Sequence, residues 1–297
     1  MINSFKDMLT PFELLFTISD VEPLLDDNNK LVYPLCDNTL FIISKCIDVD
    51  PENYAVFDNN QATIAGLFIK QVKLFEEFYE AYKNGKLYLC AILQRIIYEA
   101  FIKMEYLIKY GDEAQKTYRS YSYKNQNKFY EEHKTSQDGY FNVRNKKYLS
   151  DLEDDGFTID DIKKLERSFG GKKFFQLVEE FEDKSLYTSL YGMASDSIHS
   201  DWGDIRQLYL RKRSEPNSYV IPEDFTMKIH FRYLLAMLDI INDSAFKYID
   251  WFLSLSTNYK QLSAYKNLLE EFRRVDTLIM KFVFNEYSKD DSKYMYE

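Results

Sequence analysis

Arg95 and Glu99 stand four residues apart in the stretch 87–104, LYLCAILQRIIYEAFIKM. Four residues on a helix is just over one turn, so the two side chains share a face. A guanidinium held by its own glutamate can grip a phosphate bidentately or steady a developing negative charge. The same pair can equally be a salt bridge that orders the interior. The spacing alone is common, and both readings stand.

A second line of chemistry-bearing groups is Tyr191-x-x-x-Ser195-x-x-x-His199, followed by Ser200, Asp201 and Asp204. On a helix these fall on one face, with the imidazole at the C-terminal end. Its pKa near neutrality suits proton transfer, while a cation at a helix C-terminus also serves as a plain cap. Ser195 lacks the G-x-S-x-G surroundings of a hydrolase nucleophile. None of the three histidines, His133, His199 and His230, belongs to a paired motif. No metal site and no cofactor are therefore expected.

Two segments carry local positive charge. Residues 116–147 hold eight Lys or Arg against three acids, with seven Tyr or Phe interleaved. Residues 206–213 carry Arg206, Arg211, Lys212 and Arg213 with no acid. Solvated loops account for such runs, and so does a path for single-stranded RNA. In the second case Lys and Arg hold phosphates while Tyr118, Tyr121, Tyr123 or Tyr140 stack bases.

The elements that would position these groups are helices. Between residues 87 and 104 the polar residues are Gln94, Arg95, Glu99 and Lys103, tyrosine apart, and the last three step by four. That makes a narrow charged slot on an otherwise apolar helix, where a surface helix has a broad polar face. The spacing predicts a central helix ending near Gly111, preceded by an antiparallel partner over 61–83 across the Asn84–Gly85–Lys86 turn. A polar helix follows over 112–133, then an irregular stretch over 131–157. Thr158 opens a short helix with Asp161 in the capping-box position, closed at Gly170–Gly171. Short helices follow over 172–181 and from a Ser185 cap. A long helix is expected from Glu223 behind Pro222 to about residue 256, and a last one over 258–287. Before residue 60 two short helices, 12–18 and 39–47, the second capped by Asp37 or Asn38, alternate with Asp-, Asn- and Pro-rich loops. The expected organisation is an extension over 1–60 packing on a helical-bundle domain over 61–297. The fold class is all-α, an antiparallel bundle with at most two short strands.

Composition bounds the function. With 9 Gly and 6 Pro in 297 residues there is little of the punctuation that all-β folds need. The net charge of −10 repels nucleic acid and anionic membranes except at a local basic patch. Cys36, Cys46 and Cys90 show no C-x-x-C spacing, which fits a reducing compartment. Asp7 and Pro11 interrupt what would be the apolar core of an export signal, and no run of eighteen uncharged residues exists. A cytoplasmic protein without a membrane partner is expected.

Three segments in this order carry a resemblance: LQRIIYEAFIKMEYLIKY with its Arg-x-x-x-Glu, then YRSYSY, and later LYGMASDSIHS. Over about residues 61–255 the chain resembles a bacterial helical family of unknown function, numbered 5677. That family is similar in turn to HEPN proteins, helical domains that are often dimeric and often cleave RNA in toxin and phage-defence systems. The resemblance implies a polar cluster of Arg95, Glu99, Arg119, Ser195 and His199; the candidates to hold the substrate, read from the residues themselves, are Tyr191, Tyr118, Tyr123, Arg206 and Arg211. The resemblance also implies a homodimer and RNA as a partner. HEPN ribonucleases carry Arg-x4–6-His on one helix, whereas the residues upstream of His199 include Leu190, Gly192, Met193 and Ala194. Either Arg95 or Arg119 supplies the guanidinium from another helix, or the chain is a non-cleaving, scaffold-type relative that recruits a protein partner. If one site exists, Arg95 is mostly buried, and Arg95 or Glu99 lies within one water-bridged hydrogen bond of Ser195 or His199.

Overall fold

Few glycines and prolines and long runs of apolar residues at helical spacing produce helices here. The computed structural model describes residues 8–47, 57–165, 171–192, 202, 205–206, 209–212, 219–220, 229–255 and 260–289. In chain order the helices are α1 (Ile18–Val21), α2 (Val32–Ile47), α3 (Gln61–Lys83), α4 (Leu87–Ser122), α5 (Lys124–His133) and α6 (Gly139–Asp154). Then come α7 (Ile159–Lys163), α8 (Phe174–Phe181), α9 (Lys184–Leu186), α10 (Phe231–Leu255) and α11 (Lys260–Lys289). Among the described residues strand pairing is confined to β1 (Arg211–Lys212) against β2 (Tyr219–Val220), antiparallel with Arg211 opposite Val220. The protein is all-α. No helix among the described residues is long and apolar enough to cross a membrane.

The chain divides into two compact units that interleave in sequence. One comprises Met1–Tyr54, Phe68–Phe101 and Thr188–Glu297; the other comprises Ala55–Leu67 and Ile102–Tyr187.

In the first unit α2 packs on α10 and α11, which pack on each other. Leu234, Leu238, Ile241, Ala245, Ile249 and Phe252 recur at steps of three and four along α10 and are buried. Along α3, Phe68, Val72, Phe75, Phe78, Tyr79 and Tyr82 do the same. Each fully buried phenylalanine of this set contributes about 1.5–3 kcal/mol. Phe68 stacks on Tyr248 with ring centroids 4.2 Å apart, and the Tyr82 hydroxyl donates to the Ile229 carbonyl at 3.0 Å. Arg274 of α11 donates to the carbonyls of Leu15 and Phe12, which fastens the segment before α1.

The second unit has a smaller core of Tyr123, Tyr148, Leu152, Phe157 and Ile162, flanked by Tyr130, Ile159 and Leu165. α5 and α6 form its hairpin.

Several expected boundaries move. Residues 10–14 form turns rather than a helix over 12–18, and the helical turn comes later, where the Asp20 carboxylate accepts from the Thr17 amide at 2.7 Å. α2 begins at Val32, so Asp37 and Asn38 lie inside it instead of capping it. Pro34 sits in the first turn, where its missing N–H costs nothing, so the helix can start ahead of it. The stretch expected to be irregular contains α6, capped by Asp138, whose carboxylate accepts from the Tyr140 amide at 2.8 Å. Its buried side is narrow and partly polar, Asn145, Tyr148 and Leu152, which hides the apolar period. The Ser185 cap is replaced by Asp183, which accepts from the Ser185 amide at 2.7 Å. α10 begins at Phe231, behind the non-helical residues 229 and 230; Pro222 and Glu223 lie outside the described residues. α4 runs on past Gly111, but Gly111 itself is non-helical (φ 64°, ψ −150°), so the break expected there exists inside one continuous element.

Candidate functional site

The first half of α4 turns its polar slot toward the segment after α9. Lys184–Leu186 is α-helical, and the chain then widens into a π-helix over Tyr187–Gly192. Single π turns inside helices recur at functional positions because the extra residue re-aims side chains and carbonyls. Gln94, buried at 4% exposure, donates its amide Nε2–H to the Leu190 carbonyl at 2.6 Å. One position on, an Arg95 guanidinium N–H donates to the Tyr191 hydroxyl at 2.7 Å. The guanidinium carbon also lies 4.2 Å from the centroid of the same ring. The cation thus engages the Tyr191 π-face and oxygen together, a desolvated contact worth about 0.5–2 kcal/mol.

Arg95, Glu99, Lys103 and Tyr191 are all half-buried. Arg95 is thus mostly enclosed and hydrogen-bonded, as its stripe on the helix led one to expect, while keeping part of its surface in water. The slot reaches solvent on one side, which an arginine meant to meet an anion requires.

Arg119 belongs to the second unit. There it pairs with Asp155 at 3.1 Å and lies 5.1 Å from the Phe157 ring centroid. Tyr123 is buried in the same place and donates to Asp155 at 2.6 Å. Burial, with the neighbouring Asp155 carboxylate second, pushes the Tyr123 phenol well above its ordinary value. Tyr118 is half-buried and Arg206 is exposed. The Arg211 backbone forms β1. Ser195 and His199 lie outside the described residues. Of the expected cluster, the structure brings Arg95 and Tyr191 together and ties Arg119 and Tyr123 to Asp155.

Two features escaped the sequence reading. Gln94 was visible as a polar residue in an apolar helix, but nothing in its spacing singled it out from Arg95. Glu180 on α8 accepts from Lys109 at 2.8 Å, from Lys172 and from the Tyr110 hydroxyl. These donors, Lys109 first, draw its carboxyl down to about 2. Lys109 and Tyr110 stand some seventy residues before Glu180, so no local motif announces the full set, although Lys172 is only eight residues away. Among the described residues no three His, Cys, Asp or Glu side chains gather in a metal-binding group.

A family model matches residues 61–218; it describes a family of unknown function, DUF5677. No curated protein and no solved structure matches the chain. The matched span contains the Gln94–Arg95 positions, Tyr191, Arg119 and both basic segments.

Proposed function

The chain belongs to the DUF5677 family, and for this member we propose a HEPN-like RNA-cleaving protein of bacterial defence or toxin type, working without a metal. The single observation that carries the reading is the Arg95–Tyr191 contact at 2.7 Å. It holds a guanidinium, half open to solvent, at the start of the stretch that leads to Ser195 and His199. In the proposed reaction a base removes the ribose 2′-OH proton and the oxygen attacks the adjacent phosphorus. The bond to the 5′ oxygen breaks, that oxygen takes a proton, and a 2′,3′-cyclic phosphate and a 5′-hydroxyl result. His199 is the proton-transfer group, Arg95 neutralises the charge building on the phosphorane, and Glu99 orients Arg95. Ser195 holds the imidazole or the substrate. The RNA partner, the homodimer and the cytoplasmic location belong to the same reading.

A second reading has an observation of its own. Gln94 and Arg95 are adjacent and bind adjacent residues, Leu190 and Tyr191. Two neighbouring clamps of this kind are what a purely structural lock in a scaffold protein would show. Incubating the full-length protein with labelled tRNA in EDTA separates the two. Cleavage that survives chelation and disappears in both His199→Ala and Arg95→Lys supports the enzyme. RNA left intact by a folded protein supports the scaffold.

A further inference from the structure

The second unit carries an aromatic and cationic platform that the Arg95 site does not use. On the α5–α6 hairpin His133 lies face to face with Phe141, with centroids 4.1 Å apart and planes 5° apart. Phe129 packs against both rings at 4.6 and 5.6 Å. Arg144 sets its guanidinium 4.7 Å from the Phe129 centroid and donates to the Tyr140 hydroxyl at 3.0 Å. Tyr140 meets Phe141 edge-on at 5.5 Å and is nevertheless 60% exposed. A large, oriented ring open to water is an unusual expense on a surface helix, and Val143 beside it is 69% exposed.

The charges around it point one way. Lys128, Arg144 and Lys146 are exposed. Of the nearby carboxylates, Glu131 is engaged by Lys134 at 2.6 Å and Lys163 at 2.9 Å. Asp151 is engaged by Lys147 at 3.0 Å, and Asp138 caps α6; Glu132 is the other exposed acid between Lys128 and Lys147, and the exposed Glu153 and Asp154 stand at the C-terminal end of α6. In a chain of net charge −10 this is a local excess of positive charge around flat aromatic surface. Phosphates need the first, and unpaired bases need the second. A duplex keeps its base faces covered and has no use for Tyr140.

We infer that the α5–α6 hairpin is a docking platform for single-stranded nucleic acid, with a base stacked on Tyr140 and the backbone tracked by Lys128, Arg144 and Lys146. This deepens the proposed reading, on which it rests for RNA as the physiological strand. Arg144 is a positioning residue that fixes the Tyr140 ring as well as a phosphate contact.

The test is fluorescence anisotropy with the full-length protein and labelled oligouridylate or oligothymidylate, with polyglutamate as the competing anion. Oligothymidylate has no 2′-hydroxyl, so its binding is independent of cleavage. Both oligonucleotides bind; Tyr140→Ala weakens both by roughly tenfold, the scale of one lost base stack, while Tyr140→Phe retains binding. Removing Lys146 lowers the salt slope of binding by about 0.7, one phosphate contact on a single strand. These are surface changes, and an unaltered circular dichroism spectrum accompanies them. No binding, equal binding by Tyr140→Ala, or preference for polyglutamate overturns the platform. Binding without cleavage leaves the platform standing and removes the catalytic reading alone.

Discussion

The Tyr123 hydroxyl donates to the Asp155 carboxylate at 2.6 Å, and Arg119 reaches the same residue at 3.1 Å. Asp155 is the residue just past α6, followed by Gly156 at φ 74°. The pair of donors therefore fixes where α6 stops and the chain turns into Phe157. Tyr123→Phe removes the hydroxyl, which also reaches the Asp151 carbonyl at 3.2 Å, and no packing, so it lowers unfolding stability by about 0.5–1.5 kcal/mol. Arg119→Ala lowers it further, because the contact with Phe157 goes too. Urea denaturation measures both. If Arg119→Ala leaves stability untouched, Arg119 is not held by this triad and is available to substrate.

Glu180 gives the second unit an acid-sensitive joint. Lys109 above all, then Lys172 and the Tyr110 hydroxyl, draw its carboxyl from the ordinary 4.5 to about 2. The folded state binds that proton less readily than the unfolded chain does. The stabilisation is therefore complete above pH 4.5 and is lost as pH falls from there toward 2. Glu180→Gln is less stable than the parent at neutral pH, and the difference shrinks across that window. Thermal unfolding of the two proteins at a series of acid pH values checks this. A difference that persists unchanged at pH 2 contradicts it.

The same comparison shows what was legible before folding. The charged steps of Arg95, Glu99 and Lys103 revealed α4, and Gly111 revealed its break, because helical period and glycine preference are local properties. Thr158 and Asp161 announced α7 for the same reason; Thr158 Oγ1 and the Asp161 carboxylate meet at 2.6 Å. α6 stayed hidden because Asn145 occupies a buried place in its stripe. Lys109 and Tyr110 at Glu180, and the partner of Arg119, stayed hidden because they arrive from distant parts of the chain. Arg119 gave no local sign of its partner, because the Asp155 carboxylate stands thirty-six residues further on. Spacing identifies faces of helices; it does not say which face meets which.

Asp276 is a stability cost built into the core of the first unit. It is 2% exposed on α11, and its Oδ1 has no hydrogen-bond partner among the described residues. Burial raises its carboxyl well above the ordinary 3.8; the Asp239 charge adds to this, and Arg273 opposes it. Here the folded state keeps a proton that the unfolded chain has already released. The group therefore weakens the fold progressively as pH rises above 3.8. Asp276→Asn removes that slope, so the variant is more stable than the parent at neutral pH and converges with it in acid. Chemical denaturation from about pH 4 to about pH 8 reads the convergence, on the two-state linkage relation. A gain independent of pH would place the effect in packing instead.

Gly111 offers the sharpest test of how α4 is built. Its φ of 64° with ψ of −150° lies in a region that only glycine enters comfortably. Past the turn the Gln115 amide Nε2–H donates back to the Leu107 carbonyl at 3.2 Å, a buried bond that spans the break. A methyl group at residue 111 would meet nothing within 4 Å, so any penalty comes from the backbone alone. Gly111→Ala therefore costs about 1–3 kcal/mol without creating a clash. Gln115→Ala costs about 0.5–1.5 kcal/mol, since the bond across the break is lost. If the break persists in the alanine variant, the two changes are distinct in origin and their costs add. If alanine instead straightens α4, residue 115 moves about 12 Å along the axis from Leu107 and the Gln115 bond is already lost. Gln115→Ala then costs less on the alanine background than on the parent. Denaturation of the two single variants and the double variant decides between them. An alanine variant as stable as the parent would mean that residue 111 does not adopt this conformation in solution.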